Sequence, residues 1–250
     1  MTVMLTTSGN LNTPIELAYN GLLYAEGFKQ AVPWDYQQHP HLLVLGNTGS
    51  GKSTFINVLI TRISKVIPTA KIWYCDFKAE ARYLAGCARY FEYDKVLQGI
   101  ADFEAVFTKR LQGDPDRSMC WLVCDEYVSL LASLEKRERE DLQRRMAKML
   151  WMSRSLGLRI ILGCQRAMAE HFAFGSRDSL NIVLLGAPSR ESTRSFADSD
   201  QAAIMNPCCR GSGWLLLDGV PPQSVSTPRV LNFNQLNQAV RRTVENERNG

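Results

Sequence analysis

Three groups of residues in this chain have types and spacings suited to phosphate chemistry. The first is Gly46-Asn47-Thr48-Gly49-Ser50-Gly51-Lys52-Ser53, which fits G-x-x-x-x-G-K-[S/T] without exception. Glycines at these places let backbone N–H groups turn inward around phosphates, and a helix starting at the lysine adds the positive end of its dipole. Lys52 is placed to reach β- and γ-phosphates, and Ser53 to hold Mg²⁺ through its hydroxyl. With Thr54, these residues form the expected nucleotide-binding loop. The second group is Asp125-Glu126, which follows the apolar run Trp121-Leu122-Val123-Cys124. A carboxylate at Asp125 suits metal binding through water, and Glu126 suits orienting and deprotonating an attacking water. The third is Gln165, at the end of the next apolar run; it either senses a γ-phosphate or simply ends a strand.

The elements that must position these groups follow from the pattern. His41–Leu45, Lys71–Cys75, Met119–Cys124, Arg159–Cys164, Asn181–Leu185 and Trp214–Leu217 read as strands. Lys52–Lys65, Gln98–Leu111 and Glu135–Ser155 read as helices. Continuous apolar strands alternating with helices imply an α/β fold, a mostly parallel sheet covered on both faces. Gly46, Asp76, Asp125 and Gln165 each follow the last apolar residue of a different strand. In open α/β sheets, ligands bind outside the carboxyl ends of the strands, so these four stops define one site. Residues 1–40 carry little pattern and read as a lead-in segment, 41–220 as the domain proper, and 221–250 as a polar tail with a solvated helix.

The 250 residues are 45% hydrophobic and 22% charged, with a net charge of +4, which excludes disordered, collagen-like and disulfide-miniprotein chains. No run approaches the ~20 apolar residues of a membrane span. Met1–Asn10 lacks the basic and apolar regions of a secretory signal. Seven cysteines with no C-x-x-C spacing read as reduced, mostly buried thiols in a cytoplasmic protein. Cys208 and Cys209 have no second ligand pair with which to hold zinc. The absence of N-K-x-D, L-S-G-G-Q and a D-E-x-D/H box argues against GTPases, transporter ATPases and many helicases, and the Asp-Glu pair favours hydrolysis over phosphorylation of a hydroxyl.

At a larger scale the motifs resemble one family. Pro40 followed by His41-Leu42-Leu43-Val44-Leu45 and the phosphate loop resembles the P-H-L-L-V run of the FtsK/SpoIIIE DNA-translocating ATPases. Asp76-Phe77-Lys78 is similar to the family's D-P-K, with Phe for Pro. Leu122-Val123-Cys124-Asp125-Glu126-Tyr127 resembles its V-V-D-E-F box, and the stretch from Ser153 to Arg166 its small-residue run, G-I-H-L strand and T-Q-R. Ser189–Arg194 is similar to S-x-x-D-S-R without its Asp, and Gly211-Ser212-Gly213-Trp214 to a G-x-G-D turn with Trp for Asp. The resemblance covers about residues 38–220. It implies a RecA-like P-loop motor using ATP and Mg²⁺ on double-stranded DNA, assembled as a homo-oligomeric ring, usually a hexamer, with ATP at subunit interfaces. Lys52, Glu126 and Gln165 would then be catalytic, Ser53 and Asp125 metal-binding, and an arginine from the neighbouring subunit would complete the site. Arg154, in the matched Ser153-Arg154-Ser155 segment, is the first choice for that arginine, followed by Arg166 and Arg194. The setting implied is a plasmid, phage or conjugative element, with a membrane- or DNA-bound protein recruiting the motor. A type VII-like protein-secretion motor, a non-hydrolysing regulatory module and a small-molecule kinase are the alternatives.

Positive charge concentrates in residues 135–159, where Lys136, Arg137, Arg139, Arg144, Arg145, Lys148, Arg154 and Arg159 face four acidic residues. The run serves DNA phosphates or is a solvated helix face with i,i+4 pairs and a buried stripe of Leu142, Met146, Met149 and Leu150. Ala169–Arg177 is the expected pore loop, and Tyr24, Phe28 or Trp34 the expected adenine contacts.

Overall fold

The apolar runs become strands because their side chains find partners on both sides of one sheet. A computed structural model describes residues 13–187 and 189–245; the reading of Met1–Asn10 lies outside them. In chain order the elements are β1 (Ile15–Asn20), α1 (Gly21–Ala25), β2 (Ala31–Trp34), β3 (His41–Gly46), α2 (Lys52–Val66), β4 (Lys71–Asp76), β5 (Tyr90–Glu92) and α3 (Val96–Leu111). There follow β6 (Cys120–Asp125), α4 (Tyr127–Ser133), α5 (Lys136–Met152), β7 (Leu158–Cys164), β8 (Leu180–Leu185), α6 (Arg190–Phe196), α7 (Ser199–Ile204), β9 (Ser212–Leu217), β10 (Val220–Ser226) and α8 (Phe233–Glu245).

All ten strands form one sheet in the order β2-β1-β10-β9-β8-β3-β7-β6-β4-β5. From β8 to β5 every pairing is parallel. From β8 to β2 every pairing is antiparallel. Alternate residues of each central strand feed two cores. Leu42 and Val44 pack with Phe55, Ile56, Leu59 and Ile63 of α2 and with Val240 and Val244 of α8. Leu43 and Leu45 pack with Ile100, Phe103 and Phe107 of α3 and Met146 and Met149 of α5. The fold is α/β, with a mostly parallel sheet and helices on both faces. Strand β7 lies between β3 and β6. This order sets the carboxyl end of β7 between the phosphate loop and the Asp125-Glu126 pair.

The flanking segments enter the same architecture. Residues 15–34 supply β1, β2 and α1, and β10 and α8 come from the segment after residue 219. Helix α8 is not simply solvated: Val240, Thr243 and Val244 are buried, because its apolar stripe closes over α2. Helix α5 stops at Met152 and gives way to a 3-10 turn, Arg154–Leu156, short of the expected end at Ser155. Leu142, Met146, Met149 and Leu150 are its buried stripe as expected. Arg159 is a correction to the basic-run reading. It is buried, and its guanidinium donates to the carbonyls of Tyr36, Arg154 and Leu158. Arg145 is likewise engaged, with Glu104 of α3 at 2.5 Å. All seven cysteines are free, and no group of ligands that could hold a metal through them occurs among the described residues.

His41, the first residue of β3, is fully buried and accepts the Ile160 N–H at Nδ1 (3.0 Å). Burial, and next the nearby Arg159 charge, push its pKa from 6.5 down to about 3. The unfolded chain therefore takes up a proton near pH 6.5 that the folded chain refuses until about pH 3, so stability falls as pH drops through that window. Between pH 7 and 5 the expected loss from this group is about 2 kcal/mol. Urea unfolding followed by tryptophan fluorescence should show that slope in the parent and not in His41→Asn. Equal slopes would refute the assignment.

Candidate nucleotide site

The turn after β3 and the start of α2 make the cradle. Gly51 lies at φ +98°, a backbone conformation that side chains disfavour, and it precedes α2 with no side chain capping the helix. The first amides of α2 are thus left for a ligand. Ser50 is buried above Gly46, and its Oγ has no partner among the described residues. The loop is held from outside by Asn47 Nδ2 donating to the Ala187 carbonyl (2.8 Å) and by the Gly211 N–H donating to the Ser50 carbonyl (2.7 Å).

Three of the strand-end groups converge on this cradle. Lys52 is 7% exposed; its Nζ pairs with Asp125 Oδ1 and lies 3.0 Å from Glu126 Oε1. Ser53 Oγ donates to Asp125 Oδ2 (3.0 Å). Gln165 Nε2 donates to Glu126 Oε1 (3.3 Å), and Ser129 Oγ to Oε2 (3.1 Å). Gly163, opposite Asp125 on β7, is what lets the carboxylate turn this way, since a Cβ there would sit 2.3 Å from Asp125 Oδ1. Glu126 itself is held at φ 64°, a sparsely populated conformation for a residue with a side chain, and this aims it away from the strand axis into the cleft. Burial alone would lower the Lys52 pKa, but Asp125 and Glu126 outweigh it and raise the value. For Glu126, burial alone would raise the pKa, and Lys52, Lys78 and Gln165 reverse that and lower it.

The residues present suit a nucleotide and a hard divalent cation. Uncapped amides, the orphaned Ser50 Oγ and an invading ammonium mark a place for phosphates. Ser53 and Asp125 supply oxygen donors side by side, the chemistry Mg²⁺ takes.

The fourth strand-end residue does something else. Asp76 is 3% exposed and accepts from the backbone N–H groups of Lys78 (3.2 Å) and Ala81 (2.8 Å) and from Tyr90 Oη (3.2 Å). It braces the 77–81 loop, which carries Lys78 and Glu80 to the rim of the cleft. Arg210 lines the same rim from the segment between α7 and β9. Sequence reasoning assigned no role to these three rim residues. Lys78 sits two places after a strand-end Asp, a detectable signal, whereas Arg210 arrives through backbone bonds that leave no side-chain pattern.

Arg154 is not brought to this cleft. It is exposed just before β7, at the amino edge of the sheet, beside Trp151, Gln38 and Asp218. Only a second copy could carry it to a phosphate loop. Arg166 is exposed next to Gln165, and Arg194 lines a separate cavity with Arg177 and Asp198. Trp34 is buried, with its Nε1 donating to the His39 carbonyl, and is a packing residue rather than an adenine contact. Tyr24 accepts the Arg229 N–H, and Phe28 is exposed. The expected pore loop consists of 3-10 turns at Ala169–His171 and Ala173–Ser179, with Phe174 exposed inside the second.

Known proteins resemble this chain in sequence and in fold. Residues 18–65 match the FtsK/SpoIIIE family. Over 254 aligned residues the chain is 23% identical to the FtsK domain-containing protein YdcQ of Bacillus subtilis (strain 168), covering 87% of this chain and 46% of that protein. The chain thus spans about half the length of the curated relative it matches. The cytoplasmic domain of the Thermomonospora curvata type VII secretion ATPase EccC superposes with a TM-score of 0.66 at 17% identity, over 92% of this chain and 28% of that one. The pCW3 conjugation coupling protein TcpA, in a monomer form with ATPγS, also gives 0.66 at 17% identity, over 84% of this chain and 66% of that one. At such identities the likeness to these structures is one of fold, a mostly parallel α/β sheet with helices on both faces.

Proposed function

We propose that this chain, a P-loop ATPase domain of the FtsK/SpoIIIE type, hydrolyses ATP with Mg²⁺ and couples turnover to the movement of double-stranded DNA. The observation that carries the hydrolytic half is the convergence of Lys52 and Gln165 on one oxygen, Glu126 Oε1, beside the Ser53–Asp125 pair. ATP binding draws Lys52 from the carboxylates to the β- and γ-phosphates, while the loop amides from Gly46 to Thr54 hold the chain of phosphates. Ser53 and Asp125 would hold Mg²⁺, which supplies charge neutralisation at the phosphates. Glu126, released from Lys52, takes a proton from the water whose oxygen attacks the γ-phosphorus as the bond to ADP breaks. Gln165 holds Glu126 and relays the state of the γ-phosphate to the 166–179 loop.

The DNA half rests on the family match and on exposed cations. Arg137, Arg144 and Lys148 on α5 and Arg166 after β7 remain solvent-facing once Arg159 and Arg145 are set aside. The motor works as a homo-oligomeric ring, a hexamer in this reading, in which Arg154 of one copy reaches the phosphates of the next. Ala169–Arg177 contacts the DNA in the pore. The setting is cytoplasmic, on a plasmid, phage or conjugative element, and a membrane- or DNA-bound protein recruits the motor. Among the described residues no helix is long and apolar enough to cross a membrane. Long linear double-stranded DNA should raise the ATPase rate at least about tenfold at low salt, and the stimulation should fade as salt rises. A rate indifferent to DNA under those conditions would overturn the DNA reading in favour of a protein-directed motor.

A further inference from the structure

Glu126 Oε1 is approached by three donors: Lys52 Nζ at 3.0 Å, Gln165 Nε2 at 3.3 Å and Lys78 Nζ at 3.4 Å. A carboxylate oxygen accepts about two hydrogen bonds, so the third donor is surplus in the resting site. Lys78 is also the odd member in its surroundings. Lys52 is buried and Gln165 half-buried, whereas the Lys78 side chain is 36% exposed on a flexible four-carbon stem at the rim. A half-exposed ion pair of this kind contributes little to folding. The backbone beneath it is nevertheless built with care. Asp76 spends its buried carboxylate on the amides of Lys78 and Ala81, and Ala79 is held at φ 55°, a conformation costly for alanine. Phe77 stacks on Tyr93, centroids 6.1 Å apart, and anchors the loop's start.

We infer that Lys78 is a second catalytic lysine, which leaves Glu126 to bind the γ-phosphate and stabilises the charge that develops on it during hydrolysis. The inference rests on the ATPase reading and deepens it. A water poised for attack lies within hydrogen-bond reach of both Glu126 and the γ-phosphorus. A cation 3.4 Å from Glu126 Oε1 therefore already stands next to the place where the γ-phosphate oxygens arrive. Among the described residues Lys52 and Lys78 are the cations in contact with Glu126, so with Lys52 drawn to the β- and γ-phosphates Lys78 is the one left to move between the carboxylate and the γ-phosphate. It keeps two anions, the carboxylate and the γ-phosphate, from repelling each other at the moment of attack. Its contribution comes from the same chain, apart from any arginine a neighbour donates.

The test compares the parent chain with Lys78→Met and Lys78→Arg, using ADP and ATPγS as binding probes and ADP with aluminium fluoride as a transition-state mimic. Lys78→Met should lower kcat by about 100-fold, in the range seen when a transition-state donor is removed. It should leave ADP affinity within about twofold, weaken ATPγS about tenfold, and abolish trapping by aluminium fluoride. Lys78→Arg should recover most of the ATPγS preference, since a guanidinium also binds phosphate. A kcat within about threefold of the parent with an unchanged ATPγS-to-ADP affinity ratio would overturn the inference. So would parallel losses of ADP and ATPγS affinity, which signify a general electrostatic or folding role. A parent chain that binds nucleotide and never turns over would defeat the hydrolytic reading instead, and the affinity ratio would still decide Lys78.

Discussion

Replacing Glu126 with Gln should stop steady-state ATP turnover, by 100-fold or more, while nucleotide affinity stays within a few-fold of the parent or improves. The amide keeps the shape of the side chain and its bond from Ser129 Oγ, and the strained backbone at φ 64° is unaltered. What it loses is the capacity to accept a proton, and general-base catalysis contributes about 10²–10⁴ in rate. Affinity moves the other way because Glu126 competes with ATP. It holds Lys52 at 3.0 Å and Lys78 at 3.4 Å in the resting site, and a neutral amide releases both for phosphate. Single-turnover hydrolysis and binding of a fluorescent ATP analogue separate the two effects. Retained turnover would remove Glu126 from the role of base, and a large loss of affinity would show that its charge organises the cradle.

The parts of this site legible in the sequence are those encoded contiguously. The phosphate loop, Asp125-Glu126 and Gln165 each follow a strand whose apolar run is unbroken, and β3, β7 and β6 are neighbours, so the chemistry falls into one cleft. The strands that escaped are short or half-exposed and find partners far away. β2 carries Pro33, β10 carries Pro221 and Pro222, and β5 is three residues long. β1 pairs through Asn20 with Val225, a partner that no local window contains. The same distance hides Arg210, which is brought to the loop by the bond from the Gly211 N–H to Ser50. Asp76 misleads differently: its position at a strand end is right for a ligand, but the turn that follows folds two amides back onto it and Tyr90 of β5 adds a hydroxyl. Arg159 shows the limit of charge counting, since a basic run says nothing about which of its members is buried among carbonyls.

Lys52→Ala should have two consequences, only one of them about ATP. Nucleotide binding collapses because the ammonium that reaches the β- and γ-phosphates is gone. The nucleotide-free chain should also unfold more easily. Asp125 and Glu126 are 6% and 5% exposed, and Lys52 is the charge that faces both. Stripping one member from a buried ion cluster typically costs about 3–5 kcal/mol, and the half-exposed Lys78 at 3.4 Å from Glu126 puts the expected loss at the lower end of that range. The pH dependence identifies the cause. In the parent, the Glu126 pKa is held below its ordinary 4.5, so the stability it contributes is present above that value and is lost as pH falls through the folded one. Without Lys52, burial, the largest influence on this carboxyl, acts with less opposition and drives its pKa upward. The variant's folded state then welcomes a proton that the parent's resists, and the stability gap between them narrows from pH 7.5 towards pH 5. Urea midpoints at the two pH values measure the gap. The double variant Lys52→Ala/Glu126→Gln should recover part of the loss at pH 7.5 by removing one stranded charge. A gap that ignores pH, or a double variant no more stable than the single one, would mean that lost packing of the Lys52 stem sets the cost, with the carboxylates satisfied from elsewhere in the cleft.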